Sequence, residues 1–166
     1  MANGERAGRF AGAPAHVLVA QEQPDRADVV RLIDALDAYQ KPLYPPESHH
    51  GVDPAALSQP DVVFAVARDA RGAAVGCGAV VVGPDYGELK RMYVAPPWRG
   101  RGVARALLAF LEAQARARGC VRLTLETGVR QPEALVFYRR EGFVACPPFG
   151  DYVDDPHSAF LEKRLR

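Results

Sequence analysis

Long apolar runs are missing from this sequence: none approaches the ~20 residues that a bilayer-spanning helix needs. The opening MANGERAGRFAGAPA also lacks the apolar stretch of a secretory signal. Net charge is missing too, because 21 basic and 20 acidic residues nearly cancel. That balance argues against a nucleic-acid partner and against an anionic membrane, so any anion site has to be local. Cysteine is scarce and unpaired: Cys77, Cys120 and Cys146 show no CxxC spacing. The expectation is three reduced, mostly buried thiols in a cytoplasmic protein, with no disulfide frame and no metal site. Lysine occurs only at Lys41, Lys90 and Lys163, which by itself specifies no chemistry.

The chain does have enough apolar residues for a core. With 166 residues and 48% hydrophobic content, one domain over residues 15–166 is expected behind a flexible tail at 1–14. HVLVA reads as a strand and DRADVVRLIDALDAYQ as an amphipathic helix. KPLYPPESHHGVD reads as a loop, and DPAALSQP as a short helical turn capped by Asp53 with Pro54 in first position. Three strands follow, DVVFAVARD, AAVGCGAVVVG and GELKRMYVA, joined by hairpin-length connections that imply antiparallel pairing. A helix begins after Gly102 with Val103, Leu107, Phe110 and Leu111 on one face and Arg105, Glu112 and Arg116 off it, ending at Gly119. VRLTLET is a further strand, QPEALVFYRREGF a helix that stops at Gly142, and SAFLEKRL a closing strand. The alternation makes one α/β unit with a mixed sheet.

The turn Arg99–Gly100–Arg101–Gly102–Val103–Ala104 is where the sequence carries chemistry. Two glycines let the backbone approach a ligand closely, the next helix points its positive end at the same spot, and two arginines add donors. This is an anion cradle. A Walker phosphate loop is excluded because Gly-Lys-Ser/Thr is replaced by Gly102, Val103, Ala104, and the dinucleotide fingerprint is excluded because Arg105 stands where its third glycine belongs.

RGRGVA resembles the Arg/Gln-x-x-Gly-x-Gly/Ala signature of the GNAT N-acetyltransferase family, with Arg99, Gly102 and Ala104 in its fixed positions. The strand RMYVAP before it, the helix after it, the strand VRLTLET and the block ALVFYRREGF follow the family's order and spacing over roughly residues 15–165. The resemblance implies a mixed, mostly antiparallel sheet of six to seven strands, flanked by about four helices and splayed between the fourth and fifth strands. It implies acetyl-CoA in that splay, its pantetheine arm along the backbone of Met92, Tyr93 and Val94 and its pyrophosphate on Arg99 to Ala104. Tyr138 then matches the family's general acid. Glu88 is first choice as base, with Glu126 as runner-up or a water chain in place of either.

Acetyl transfer to an alkylamine needs such a base because the amine is protonated at neutral pH, and it needs a proton for the departing thiolate. The acceptor is expected to be a small primary amine attacking the thioester directly, against loops that include Tyr39, Tyr44, Glu47, Tyr86, Asp151, Tyr152, Asp154 and Asp155. Of these Tyr44 and Tyr152, with Glu126, are the candidate substrate contacts. His49 and His50 read as solvated loop histidines. A protein lysine or N-terminus is the alternative acceptor, a non-catalytic acyl-CoA-binding module is the rival from another class, and SAFLEKRL is a candidate strand for homodimer pairing.

Overall fold

The computed structural model describes residues 16–50 and 54–166. The tail expected at 1–14 and the cap expected at Asp53 lie outside the described residues. Seven strands form one sheet in the order β1-β2-β3-β4-β5-β7-β6. The strands are β1 (Leu18–Gln21), β2 (Val62–Arg68), β3 (Ala74–Val82), β4 (Tyr86–Val94), β5 (Arg122–Gly128), β6 (Val144–Ala145) and β7 (Ser158–Arg164). The helices are α1 (Ala27–Gln40), α2 (Val103–Ala117) and α3 (Pro132–Arg140), three α-helices among the described residues where about four were expected. The turn expected after Pro54 is a single 3-10 turn at Ala56–Ser58.

β2 and β3 are buried almost throughout, which is why their sequences are continuous apolar runs without alternation. One face of the sheet packs α2 and α3 through Leu107, Leu111, Leu123, Leu125 and Phe143. The other packs α1 through Val29, Ile33, Phe64, Val66 and Cys77. The face assignment for α2 holds except at Glu112, which is buried because its carboxylate meets Lys163 Nζ at 2.6 Å. A charge enters an apolar helix face only with such a partner.

Every pairing is antiparallel except β4 with β5, which run parallel from Tyr86↔Arg122 to Leu89↔Leu125. Beyond Leu89 the two strands part. A bulge on β4 drives the separation: the β3 register shifts between Cys77 and Ala79, and Arg91 takes φ 57°. Left-handed backbone is costly for a non-glycine residue. Here the Arg91 guanidinium meets Asp37 of α1 at 2.5 Å, which ties the bulge to the opposite layer. β7 lies between β5 and β6, so the strand expected to pair across subunits is not an outer strand of this sheet. β6 shields it only at Leu161 and Glu162.

Candidate active site

The parting of β4 and β5 opens a cavity of about 500 Å³. Its walls come from α1 (Leu36, Asp37, Gln40), the loop that follows (Tyr44, His49, His50), β4 (Leu89 to Met92), β5 (Leu125 to Gly128), and α3 (Ala134, Tyr138) with Gln131 just before it. Five separate elements thus meet at one gap, the arrangement expected where a sheet is interrupted.

On the α3 side stands Tyr138, the one residue of that helix that is fully buried. Its ring packs against Phe137 at 5.1 Å and Phe143 at 5.4 Å between centroids. Burial alone pushes its phenol well above the ordinary value, so it carries its proton throughout the neutral range. Arg139 and Arg140 are exposed beyond it.

On the other side lies a polar cluster built on the opposite face of the sheet. Glu88 and Lys90 share that face of β4, and the register Glu88↔Thr124 puts Glu126 on it too. Glu126 lines the cavity and Glu88 does not. Burial raises the Glu126 carboxyl above the usual carboxylate range, offset in part by Ser158, His50 and Lys90. The Glu88 carboxylate accepts from the Tyr152 hydroxyl at 2.6 Å and meets Lys90 Nζ at 2.9 Å. Lys90 also donates to the Tyr152 oxygen and, at 3.2 Å, to the His50 carbonyl. Its three donors are therefore all engaged. Tyr152 completes an aromatic group with Phe149 and Phe160, centroids 5.2 and 5.4 Å away.

Tyr44 closes the cavity from the loop after α1. Its hydroxyl donates to Gln131 Oε1 at 3.2 Å and accepts the Arg130 amide at 3.1 Å. His49 holds the loop through the Tyr44 carbonyl at 2.9 Å. His50 was expected to be solvated. Instead it lines the cavity, with its ring edge-on to Tyr152 at 5.3 Å and its Nε2 3.6 Å from Asp155. Sequence reasoning missed this contact, whose only local signal was the density of polar residues in the two loops. Of the acceptor-loop acids, Glu47, Asp151 and Asp154 are exposed and stand away from the cavity.

At the far end of β4, Met92 lines the cavity, while Tyr93 and Val94 continue the strand toward the Gly/Arg turn. Gly100 and Gly102 take φ 74° and 80°, a conformation natural to glycine. α2 starts directly after Gly102 without a capping side chain, so the amides of its first turn have no helical acceptor. Arg99 is tied into the end of β4. Its amide closes the Pro96–Trp98 turn onto the Pro96 carbonyl at 3.3 Å. Its side chain donates to the Val94 carbonyl at 3.0 Å and lies over the ring of Tyr93. Arg101 stacks on Trp98 at 5.2 Å. The cradle is thus the backbone from Gly100 onward plus a helix end, which favours an anion electrostatically.

Among the described residues no group of three or more His, Cys, Asp or Glu could hold a metal ion, and no helix is long and apolar enough to cross a membrane.

A seven-stranded mixed sheet that parts between β4 and β5, with a glycine-rich turn feeding a helix N-terminus, defines the chain as an acyltransferase of the N-acetyl class. It belongs to the acetyltransferase (GNAT) family, whose sequence pattern matches residues 31–143. It is 47% identical over 152 residues to a protein of Azospirillum brasilense named IAA acetyltransferase, covering 90% of this chain and 99% of that one. It is 40% identical over 124 residues to the N-acetyltransferase YedL of Escherichia coli K12, covering 73% and 77%. A solved structure from Klebsiella pneumoniae, classed with the acyl-CoA N-acyltransferases, superposes with TM-score 0.77 at 38% identity over 90% of this chain and 98% of that one. The fold is also that of the PaiA N-acetyltransferase of Thermoplasma acidophilum, solved in complex with coenzyme A, at TM-score 0.68 and 15% identity over 89% and 98%.

Proposed function

We propose that the protein transfers an acetyl group from acetyl-CoA to a primary amine of a small molecule, by direct attack of the amine on the thioester. The observation that carries this reading is the placement of a buried phenol, Tyr138, and a half-buried carboxyl, Glu126, on different walls of the cavity opened by the parting of β4 and β5. Acetyl-CoA would lay its pyrophosphate on the backbone from Gly100 to Ala104, with Arg101 at the rim, and run its pantetheine arm along Met92 to Val94. The thioester would then enter the gap.

Glu126 takes a proton from the incoming ammonium, because it lines the cavity whereas Glu88 is held by Lys90 and Tyr152 outside it. A carboxyl raised by burial is a stronger base than one in water, which suits it to this step. The neutral amine attacks the acetyl carbon and the carbonyl oxygen becomes an oxyanion that a backbone N–H near Val94 stabilises. Collapse breaks the C–S bond and expels the CoA thiolate, which takes the Tyr138 proton; the second proton, shed by the nitrogen as the amide forms, restores the phenol. No cysteine lines the cavity, and the Cys77 thiol is pushed up to about 12 by burial, which supports direct attack over an acetyl-cysteine route.

The relatives named as N-acetyltransferases support the reaction class, and the Tyr44 loop fixed across the cavity supports a small acceptor over a protein one. The discriminating experiment compares Tyr138→Phe and Glu126→Gln with the wild type under saturating acetyl-CoA. Both variants should bind acetyl-CoA normally by calorimetry and lose kcat by about 10²-fold or more. A wild type that binds acetyl-CoA yet acetylates no small amine would instead favour a protein acceptor or a binding module.

A further inference from the structure

Two groups on the acceptor wall have no capacity left for a substrate proton. Lys90 has spent its three donors on Glu88, Tyr152 and the His50 carbonyl. The Tyr152 hydroxyl donates to Glu88 and accepts from Lys90. His49, its Nε2 bonded to the Tyr44 carbonyl, is exposed to solvent. His50 differs: its buried Nε2 lies against the Asp155 carboxylate, with Oδ2 3.6 Å away. Yet its ring lines the cavity that Glu126 lines, and about a quarter of the side chain, 26%, reaches solvent. A buried polar atom held at such a distance calls for an explanation.

The surroundings of His50 define what that is. From the connection between β6 and β7, Asp155 Oδ2 lies 3.6 Å from its Nε2 and Tyr152 packs edge-on. Asp155 Oδ1 accepts the His157 amide at 2.8 Å. That bond and the Ser48 hydroxyl hold its carboxyl below the usual range, so it stays ionised. From β5 comes Glu126, which interacts with His50 electrostatically. From β4 come Lys90 and, paired with it, Glu88. An imidazole beside an ionised aspartate, partly exposed and on the cavity that Glu126 also lines, is placed to pass a proton outward.

We propose that His50, oriented by Asp155, carries to solvent the proton that Glu126 removes from the acceptor. This rests on the reading of Glu126 as base. The acceptor's N–H bond breaks as an O–H bond forms on Glu126. That O–H bond then breaks as an N–H bond forms on the imidazole, directly or through one water. The imidazolium, balanced by the Asp155 carboxylate, releases the proton at its exposed edge and Glu126 is ionised again. No electrons are gained or lost. His50 is thus a relay acting through Glu126, and its loss slows turnover without weakening the cradle for acetyl-CoA.

The test uses the full-length protein and the small amine that the wild type acetylates. His50→Gln should lower kcat at neutral pH by about tenfold or more while the KM for acetyl-CoA stays within twofold, with the deficit shrinking as pH rises and solvent takes over the proton. His50→Ala should regain activity on addition of free imidazole, which no packing role would allow. Asp155→Asn, which keeps the imidazole, should fall between. A His50→Gln enzyme with wild-type kcat at every pH overturns the relay, as does a loss confined to the acceptor KM with no imidazole rescue. A wild type inert toward every small amine overturns the reading of Glu126 and the relay with it. A Glu126→Gln enzyme at full activity beside an impaired His50→Gln sinks the glutamate assignment and the path through it.

Discussion

The Tyr44 hydroxyl stands where a side chain on Gly128 would be: a Cβ built at that glycine would lie 1.8 Å from it. The end of β5 is bare so that the loop after α1 can lie across it, fixed by Gln131 and the Arg130 amide. Gly128→Ala therefore cannot keep Tyr44 in place. The variant should raise the acceptor KM by about tenfold and leave acetyl-CoA binding unchanged, as steady-state kinetics against each substrate will read. Tyr44→Phe keeps the ring and loses both hydrogen bonds, and should give a smaller effect in the same direction, about 1 kcal/mol for each bond.

With Glu126 as the proposed base, the acid limb of activity follows its carboxyl. Its folded carboxyl titrates above the ordinary carboxylate range because of burial, so the basic form is lost as pH falls through that raised value. The kcat/KM profile should turn down on the acid side at a higher pH than a solvated glutamate would give, and Glu126→Gln should lack that limb.

The same shift has a cost to the fold. A carboxyl whose folded value exceeds its unfolded one weakens the native state above the unfolded value, and the weakening is relieved as pH falls. Glu126→Gln should consequently raise Tm at neutral pH while lowering turnover, and the gain should vanish in acid. Thermal melts of the two proteins across pH will read the crossover.

With Tyr138 as the proposed acid, the alkaline limb follows its phenol. Burial raises its phenol, so the protonated form persists past the ordinary tyrosine value near 10. The ratio of wild-type to Tyr138→Phe kcat should remain constant up to about pH 10. A ratio that collapses between pH 8 and 9 would assign the acid elsewhere.

Gly102→Ala tests the cradle. The residue has φ 80° immediately before α2, where an alanine costs about 1–2 kcal/mol and crowds the phosphate path. The KM for acetyl-CoA should rise at least tenfold with kcat little altered. Arg99→Ala, whose side chain leans on Tyr93 and the Val94 carbonyl, should act by loosening the end of β4.

Local signals carried much of the fold. The strand and helix order, the Gly100/Gly102 turn and the burial of Tyr138's helix face follow from periodicity and turn chemistry over a few residues. What the sequence hid was set by long-range pairing. Glu88 and Glu126 look alike in sequence, and only the register Glu88↔Thr124 with the parting after Leu89 puts one inside the cavity and the other beside it. Glu112 reads as solvated until Lys163 arrives from the last strand. His50 reads as a loop histidine until Asp155 and Tyr152 fold over it. Arg99 fits the signature, yet its side chain turns back onto its own strand, a contact that a motif cannot show.

The most direct measurement is transfer of labelled acetyl from acetyl-CoA to a panel of small primary amines, followed by mass spectrometry of the acceptor alongside release of CoA. The account predicts at least one small amine acetylated in stoichiometric balance with CoA released, by the wild type and not by Tyr138→Phe combined with Glu126→Gln. Acetyl-CoA bound but never discharged to any small amine, or transfer undiminished in the double variant, would contradict it.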